Sequence, residues 1–443
     1  MNAVFLGIVF IAFLVAGYNE LSWVPEAVDS VSPMSALTTG MVEAASGAVT
    51  LAIGLVGMMA LFLGLMKVGE AAGLLTIIAK TLRPLMVRAF PDVPANHPAM
   101  GAMILNFSAN ALGLGNAATP FGIRAMQELD KLNAVKGTAT NAMALFLALN
   151  TSALTLLPSG VIGLRVAAGS MDPAGILPTT LFATCVSTAA AFVAVKVFQR
   201  FSPVAPAGTE GDAASEKPEA EPEAEPKPGA ELLEGEGEAV SAAYPFWVSA
   251  VAMATLLILI GLAVVYGEAV SPWIIPSVMV GMLGFGAARK VRVYEVLVDG
   301  ARDGFQVAIR IIPYMVAILV AVGMFRSSGA LDVLVLWMTP VTSLVGLPAE
   351  ALPMALIRPL SGSGAFGVLA SVINDPAIGP DSYLGYLVST IQGSTEATFY
   401  VLAVYFGAVQ IRRVRHTLAA ALVADVAGVV GAVIACTYLY GGR

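Results

Sequence analysis

Five stretches of this chain are long and apolar enough to cross a membrane as helices: Met41 to Met66, Thr138 to Leu157, Gly175 to Phe198, Phe246 to Tyr266 and Leu418 to Tyr440. Crossing a hydrocarbon core takes about 20 apolar residues in helical form. Across 443 residues, 58% are hydrophobic and 12% charged, more apolar side chain than a water-soluble domain can bury. The expectation is an all-α integral membrane protein. Ala3 to Tyr18 lacks both a basic leader and a small-x-small cleavage site, so it reads as a retained anchor helix and not as a secretion signal.

The net charge of −7 is unevenly placed. Thr209 to Glu238 holds eleven acidic residues and two lysines, which leaves 21 basic and 19 acidic residues elsewhere. Residues 202–243, rich in Pro, Glu, Ala and Gly, therefore read as a disordered acidic linker and solvated spacer between two membrane halves, 1–201 and 244–443. The halves echo each other. Gly73-Leu74-Leu75 is followed by Pro84, Pro91, Pro98 and Asn106, and Gly329-Ala330-Leu331 by Pro340, Pro348, Pro353 and Ser361. Leu149 to Thr155 in turn answers Gln392 to Thr398, an ordered similarity expected of an old duplication.

Loop charges set the orientation. Glu20, Glu26 and Asp29 face outward, and Lys67, Lys80, Arg83 and Arg88 face the cytoplasm. In the second half, Arg289, Lys290, Arg292, Arg302 and Arg310 precede the corresponding helix, which then runs the opposite way. The halves are thus expected to be inverted repeats, with the linker cytoplasmic and Glu268 at the outer surface.

Inverted repeats place broken or re-entrant helices near the membrane midplane. The first half has Asn106, Asn110 and Asn116 among small residues. In the second, Pro359, Gly362 and Gly364 surround Ser361 and Ser363. The glycines alone fit ordinary helix packing equally well, but asparagines are costly in lipid and point to a polar cavity. Arg358 reads as structural, donating to backbone carbonyls or to Glu396 or Asp375, with anion binding as the alternative. Glu396, at about 2.5–3.5 kcal/mol for a carboxylate at bilayer depth, must face a cavity, pair with a cation or be protonated. If helical, Gln392 and Glu396 share a face, Ser394 and Thr395 add hydroxyls, and Gly393 permits a break. A purely structural ion pair is the other reading of Glu396.

These same residues carry a resemblance. "FPDVPANHPAMGAMILNFSANALGLGNAATPFGIRAMQELDKLN" and "FLALNTSALTLLPSGVIGLR" resemble spore maturation protein A, and "ALIRPLSGSGAFGVL" and "STIQGSTEATFYVLAVYFGAVQIRRVR" resemble spore maturation protein B. The chain therefore looks like a fusion of those two partners. They belong to the nucleoside-recognition, or Gate-domain, grouping that also takes in concentrative nucleoside transporters and the membrane part of ferrous-iron transporter B. In the nucleoside transporters a Gly-Gln-Thr-Glu-like run contacts the base. Gln392-Gly393-Ser394-Thr395-Glu396 is similar, with Gly-Ser inserted.

The resemblance and the broken polar segments together lead to the expectation of a multi-pass protein of a bacterial inner membrane, a gradient-driven transporter or channel-like protein for a small polar solute, nucleoside-like or a small carboxylate, with a proton or sodium ion. Asn106, Asn110, Asn116, Asn150, Thr151, Ser152, Ser361, Ser363, Gln392, Ser394, Thr395 and Glu396 are the expected contacts, and a homo-oligomer is compatible with it. A non-transporting membrane scaffold or regulatory component of the cell envelope is the competing function. Intramembrane hydrolysis is disfavoured, because a serine dyad needs an embedded histidine and His97 and His416 lie at segment edges. No catalytic residue, cofactor or metal is expected, since Cys185 and Cys436 sit far apart without ligand spacing. Without a basic stripe carrying aromatics there is no reason to expect nucleic acid. Without a GxxxxGK[ST] loop, any transport should be gradient-driven.

Overall fold

A computed structural model describes residues 2–25, 30–113, 115–152, 155–202, 244–342 and 345–442. The acidic linker at 203–243 lies outside the described residues, as do the side chains of Asn116 and Glu268. The described chain is helical, without a named strand; one isolated bridge joins Thr138 and Arg413.

The first half contributes α1 (Asn2–Leu21), α2 (Pro33–Ala71), α3 (Leu74–Ala89), α4 (Pro98–Ala111), α5 (Gly115–Lys131), α6 (Asn141–Thr151), α7 (Ser159–Ala167) and α8 (Ile176–Phe198). The second follows the same order with α9 (Phe246–Ala288, non-helical at Tyr266), α10 (Val293–Ser327), α11 (Ala330–Thr342), α12 (Leu352–Leu360), α13 (Gly362–Ile373), α14 (Tyr383–Ser394), α15 (Thr398–Gly407) and α16 (Thr417–Tyr440). Among the described residues, 176–201 and α16 are long and apolar enough to cross a membrane singly. The α2–α3 and α10–α11 pairs also qualify, bent by 70° and 80°. Each bend is made by a glycine at positive φ, Gly73 at +86° and Gly329 at +78°, a conformation a side chain would disfavour. The paired Gly-x-Leu motifs of the sequence are these two bends.

Long helices of the two halves run antiparallel against each other. The position of a Cβ on Gly40 lies against Ser327, while those on Gly64, Gly300 and Gly304 lie 2.7 Å from Leu297 O, 2.9 Å from Gly64 Cα and 2.5 Å from Met59 O. The backbones of α2 and α10 therefore touch near both ends of the crossing. With no hydrophobic drive between helices in lipid, small residues that permit such approach supply the packing energy. α8 and α16 behave alike: α8 starts in one apolar core (Ile176, Leu177, Ala183) and ends in the other (Ala191, Ala194, Val195). Between the same cores α16 runs the reverse way, from Ala420 and Ala424 to Ala432, Val433 and Cys436.

Each core mixes both halves. The first combines α4, α5 and α6 with Val401, Tyr405 and Phe406 of α15. The second combines α12, α13 and α14 with Val161, Ile162 and Leu164 of α7. An arginine closes each end. The fully buried Arg165 donates to Pro380 O (2.6 Å), Asp172 O (3.0 Å) and Asp381 Oδ1 (2.9 Å), and lies over the Tyr386 ring. At the other end Arg415 donates to Ala139 O (2.9 Å), Asn141 Oδ1 (3.1 Å) and the carbonyl of Ser202.

Replacing Gly300 or Gly304 by Val should force α2 and α10 apart and lower the melting temperature of the purified protein by several degrees. The same change at Gly281, which has open space around its Cβ position, should not. Equal effects at all three sites would show that the close crossing does not carry stability.

Candidate functional site

Two interrupted helix pairs, α6–α7 and α14–α15, pass from one core to the other, while α4–α5 and α12–α13 are each broken within a single core. Pro359 lacks the N–H a helix needs, and Ser361, with extended backbone (φ −157°, ψ 117°), ends α12 and caps α13 by accepting from Gly364 N at 3.0 Å. In the first half α4 ends at Ala111 and α5 starts at Gly115. The two breaks fall at different places: Asn106 lies within α4, whereas Ser361, which the sequence comparison pairs with it, is itself the break.

α14 continues through Gly393 and stops at Ser394, with Thr395 extended (φ −136°, ψ 170°). This corrects the helical expectation: Gln392 sits on the helix and Glu396 beyond its end, so the two do not share a helix face. Gly393 also does a different job from the one expected. A Cβ there would lie 2.9 Å from Thr180 Cγ2 and 3.2 Å from Pro158 Cβ, so the glycine admits close packing of α8 and the α6–α7 connection.

The matching break, after Thr151 at the end of α6, comes at the position the repeat aligns with Ser394. The two unwound ends satisfy each other. Glu396 N donates to Thr151 O at 2.8 Å, and Arg358 donates to the Thr395 carbonyl. Arg358 is 5% exposed and lies 3.6 Å from Glu396 Oε2, while the Glu396 side chain is 47% exposed. Asp375 pairs instead with Arg326.

Around this junction Asn110 Nδ2 donates to Asn150 Oδ1 (3.0 Å), and Asn150 Nδ2 to Phe146 O (2.9 Å). The buried Asn106 donates to Ala118 O (2.8 Å) and Tyr405 OH (3.1 Å), tying α4 to both α5 and α15. Gln392 Oε1 and Asn106 Oδ1 are buried without a partner. A buried acceptor left unmade costs about 1–3 kcal/mol, so these oxygens suit an arriving N–H or O–H. Ser363 lies in the first turn of α13.

Four expected hydroxyls are held by nearby backbone: Ser394 Oγ and Thr395 Oγ1 donate to Ile391 O (3.3 and 3.5 Å), Thr151 Oγ1 to Ala148 O (2.9 Å) and Ser152 Oγ to Leu149 O (2.9 Å). Ser152 Oγ also lies 3.0 Å from Thr188 Oγ1 of α8, and its carbonyl accepts from Thr184 Oγ1 at 2.6 Å. Asn116 is in the first turn of α5, its side chain outside the described residues. Neither histidine joins the site. His97 Nδ1 caps α4 by accepting from Ala99 N at 3.2 Å. His416, in the loop before α16, is pushed down to about 4 by burial and by the adjacent Arg415, which keeps its imidazole neutral.

Asp425 also lines this junction, outside the motifs legible in the sequence. It is 5% exposed on α16, with Oδ2 accepting from Thr398 Oγ1 at 2.7 Å. Its signal was available, since it is the one charged residue between Thr417 and Tyr440. Tyr405 and the α8 hydroxyls, Thr184 and Ser187 among them, were likewise unmarked, because nothing local separates them from ordinary helix residues.

A family model described as Gate, nucleoside recognition, matches residues 52–168 and 308–412. Spore maturation protein B of Bacillus subtilis is 47% identical over 167 residues, which are 38% of this chain and 93% of that protein. Spore maturation protein A of the same organism is 43% identical over 156 residues, 35% of this chain and 80% of that protein. The Escherichia coli inner membrane protein YjiG is 36% identical over 87 residues, 19% of this chain and 57% of that protein. Two solved structures align over nearly the full length. One is CNTnw in an outward-facing state, at 11% identity and TM-score 0.44, covering 99% of each chain. The other is the Alcanivorax borkumensis YdaH transporter, at 16% and 0.40, covering 98% of this chain and 97% of that one.

Arg358→Lys keeps the charge but loses the planar fork that reaches both the Thr395 carbonyl and Glu396. It should lower stability by about 1.5–3 kcal/mol, the range for a hydrogen bond made by a charged group. Thermal unfolding in detergent measures it, and an unchanged midpoint would argue that Arg358 serves anion binding instead.

Proposed function

The chain belongs to the Gate family of nucleoside-recognition membrane proteins, and from that premise we propose that it is a gradient-driven transporter of a small polar solute. The solute is nucleoside-like or a small carboxylate, moved together with a proton or a sodium ion across a bacterial inner membrane. One observation carries this reading: two helix breaks, one from each half, are closed on each other by the Glu396 N–H to Thr151 C=O bond, with the Glu396 side chain left half exposed and the Gln392 oxygen, at the end of α14, buried without a partner. A scaffold has no use for an open carboxylate at such a junction. A transporter can use Gln392 and Thr395 to hold a solute while Glu396 takes a cation or a solute N–H.

In this reading residues 1–201 and 244–443 are two Gate units related as inverted repeats. Supporting it are the antiparallel runs of α2 against α10 and of α8 against α16. The 202–243 segment then tethers the halves from the cytoplasmic side and adds chiefly effective concentration.

Two measurements test the proposal. A thermal-shift screen of the purified protein with nucleosides, small carboxylates and ions should find a stabilising compound. At 100 times its Kd the compound would add about 2.7 kcal/mol. Glu396→Gln should abolish the dependence of that shift on pH or sodium while preserving assembly, and Gln392→Ala should weaken the solute shift more than the ion effect. A compound acting equally on wild type and Glu396→Gln would remove Glu396 from the site. For the orientation, a cysteine introduced at Ser215 should resist an impermeant thiol reagent in intact cells, and strong labelling would invert the topology.

A further inference from the structure

Asp425 is the most deeply buried carboxylate against the junction, and only half of it is satisfied. Oδ2 accepts from Thr398 Oγ1 at 2.7 Å, while Oδ1 is enclosed without a partner. No basic nitrogen lies within salt-bridge distance among the described residues; the neighbouring Arg358 is committed to the Thr395 carbonyl and to Glu396, and its Nε is likewise buried without a partner.

The helices packed on α16 are α6, α8, α12, α14 and α15. Among them α6 offers nothing that titrates. α8 brings Ser187, which bonds Ala424 O at 2.8 Å, and Cys185, with Lys196 at its far end. α14 carries Tyr383 and Tyr386 at its start, α15 carries Tyr400 and Tyr405, and α12 brings Arg358. Glu396 follows α14, and on α16 itself the other titratable groups are Cys436, Tyr438 and Tyr440. One guanidinium therefore serves two carboxylates and directly holds only the more exposed one.

We propose that Asp425 is a proton-binding site whose occupancy is set by Arg358: Oδ1 carries a proton while Arg358 engages Glu396, and releases it when Arg358 turns to Asp425. The Oδ1–H bond forms with a proton taken from water where Glu396 opens to solvent, and breaks by returning it there. A metal cation is the poorer occupant, because the adjacent guanidinium repels it and the carboxylate offers one free oxygen. The coupling role rests on the transport reading above, since a solute that captures Glu396 would free Arg358. The proton site itself stands on the local geometry and needs no solute.

The test is infrared difference spectroscopy on the purified full chain, stepping pH with no solute added, and with circular dichroism to confirm helicity. Wild type should show the C=O band of a protonated carboxylic acid that titrates away, and Asp425→Asn should lack it. Thr398→Val, which removes the one donor to the ionised form, should move the midpoint up by about one pH unit. Glu396→Gln, which releases Arg358, should move it down. A band that persists in folded Asp425→Asn, a midpoint unmoved by both other variants, or loss of the band on adding sodium at constant pH would each overturn the proposal. Failure of the solute screen alone would leave all these outcomes unchanged.

Discussion

The hydrogen bond from Glu396 N to Thr151 O is the point on which the architecture turns. A helix interrupted within a membrane leaves backbone groups that lipid cannot satisfy, and each such group costs several kcal/mol. The two breaks after α6 and α14 solve this jointly. One supplies an N–H, the other a carbonyl, and the remaining carbonyl at Thr395 is taken by Arg358. Neither half could be closed in this way alone, so the breaks require the halves to be interleaved.

Interleaving explains the rest of the packing. The cores are drawn from α4–α6 with α15 and from α12–α14 with α7, so each half completes its partner's core. Arg165 and Arg415 fasten the connecting loops of one half to those of the other at the two ends. Glycines on α2 and α10 let the long outer helices meet backbone to backbone. The polar junction is thus held by three separate sets of contacts between halves, which lets it keep unpartnered oxygens that an isolated bundle would have to bury or lose.

Family membership sits comfortably with this arrangement. The matched segments, 52–168 and 308–412, run from within α2 and α10 to the ends of α7 and α15 and contain both junction breaks. α8 and α16 lie outside the match, yet α16 supplies Asp425 and α8 packs directly on Gly393. The chemistry of the junction therefore draws on helices beyond the part that marks the family.

Composition and local pattern reached part of the molecule. Apolar run length marked Gly175 to Phe198 and Leu418 to Tyr440, which are long single helices, and the Pro-Ser-Gly stretch marked a helix stop, because these properties reside in single residues and their neighbours. Run length also offered Thr138 to Leu157 as a span, where the helix stops at Thr151, and Gly73 and Gly329, legible as repeat marks, become bends only through their positive φ. Partnerships were not legible. The sequence offered Arg358 both Glu396 and Asp375, and only the tertiary structure could give Asp375 to Arg326. It left open whether Gln392 and Glu396 share a helix face or are parted by a break at Gly393, and the structure parts them at Thr395, next to the bond from Glu396 N to the Thr151 carbonyl of the other half. Asp425 drew no notice inside an apolar run, since a buried carboxylate acquires its meaning from Thr398 and Arg358 across space. Helix formation in lipid is settled by the segment itself; which polar groups are left free is settled by what the opposite half brings to meet them.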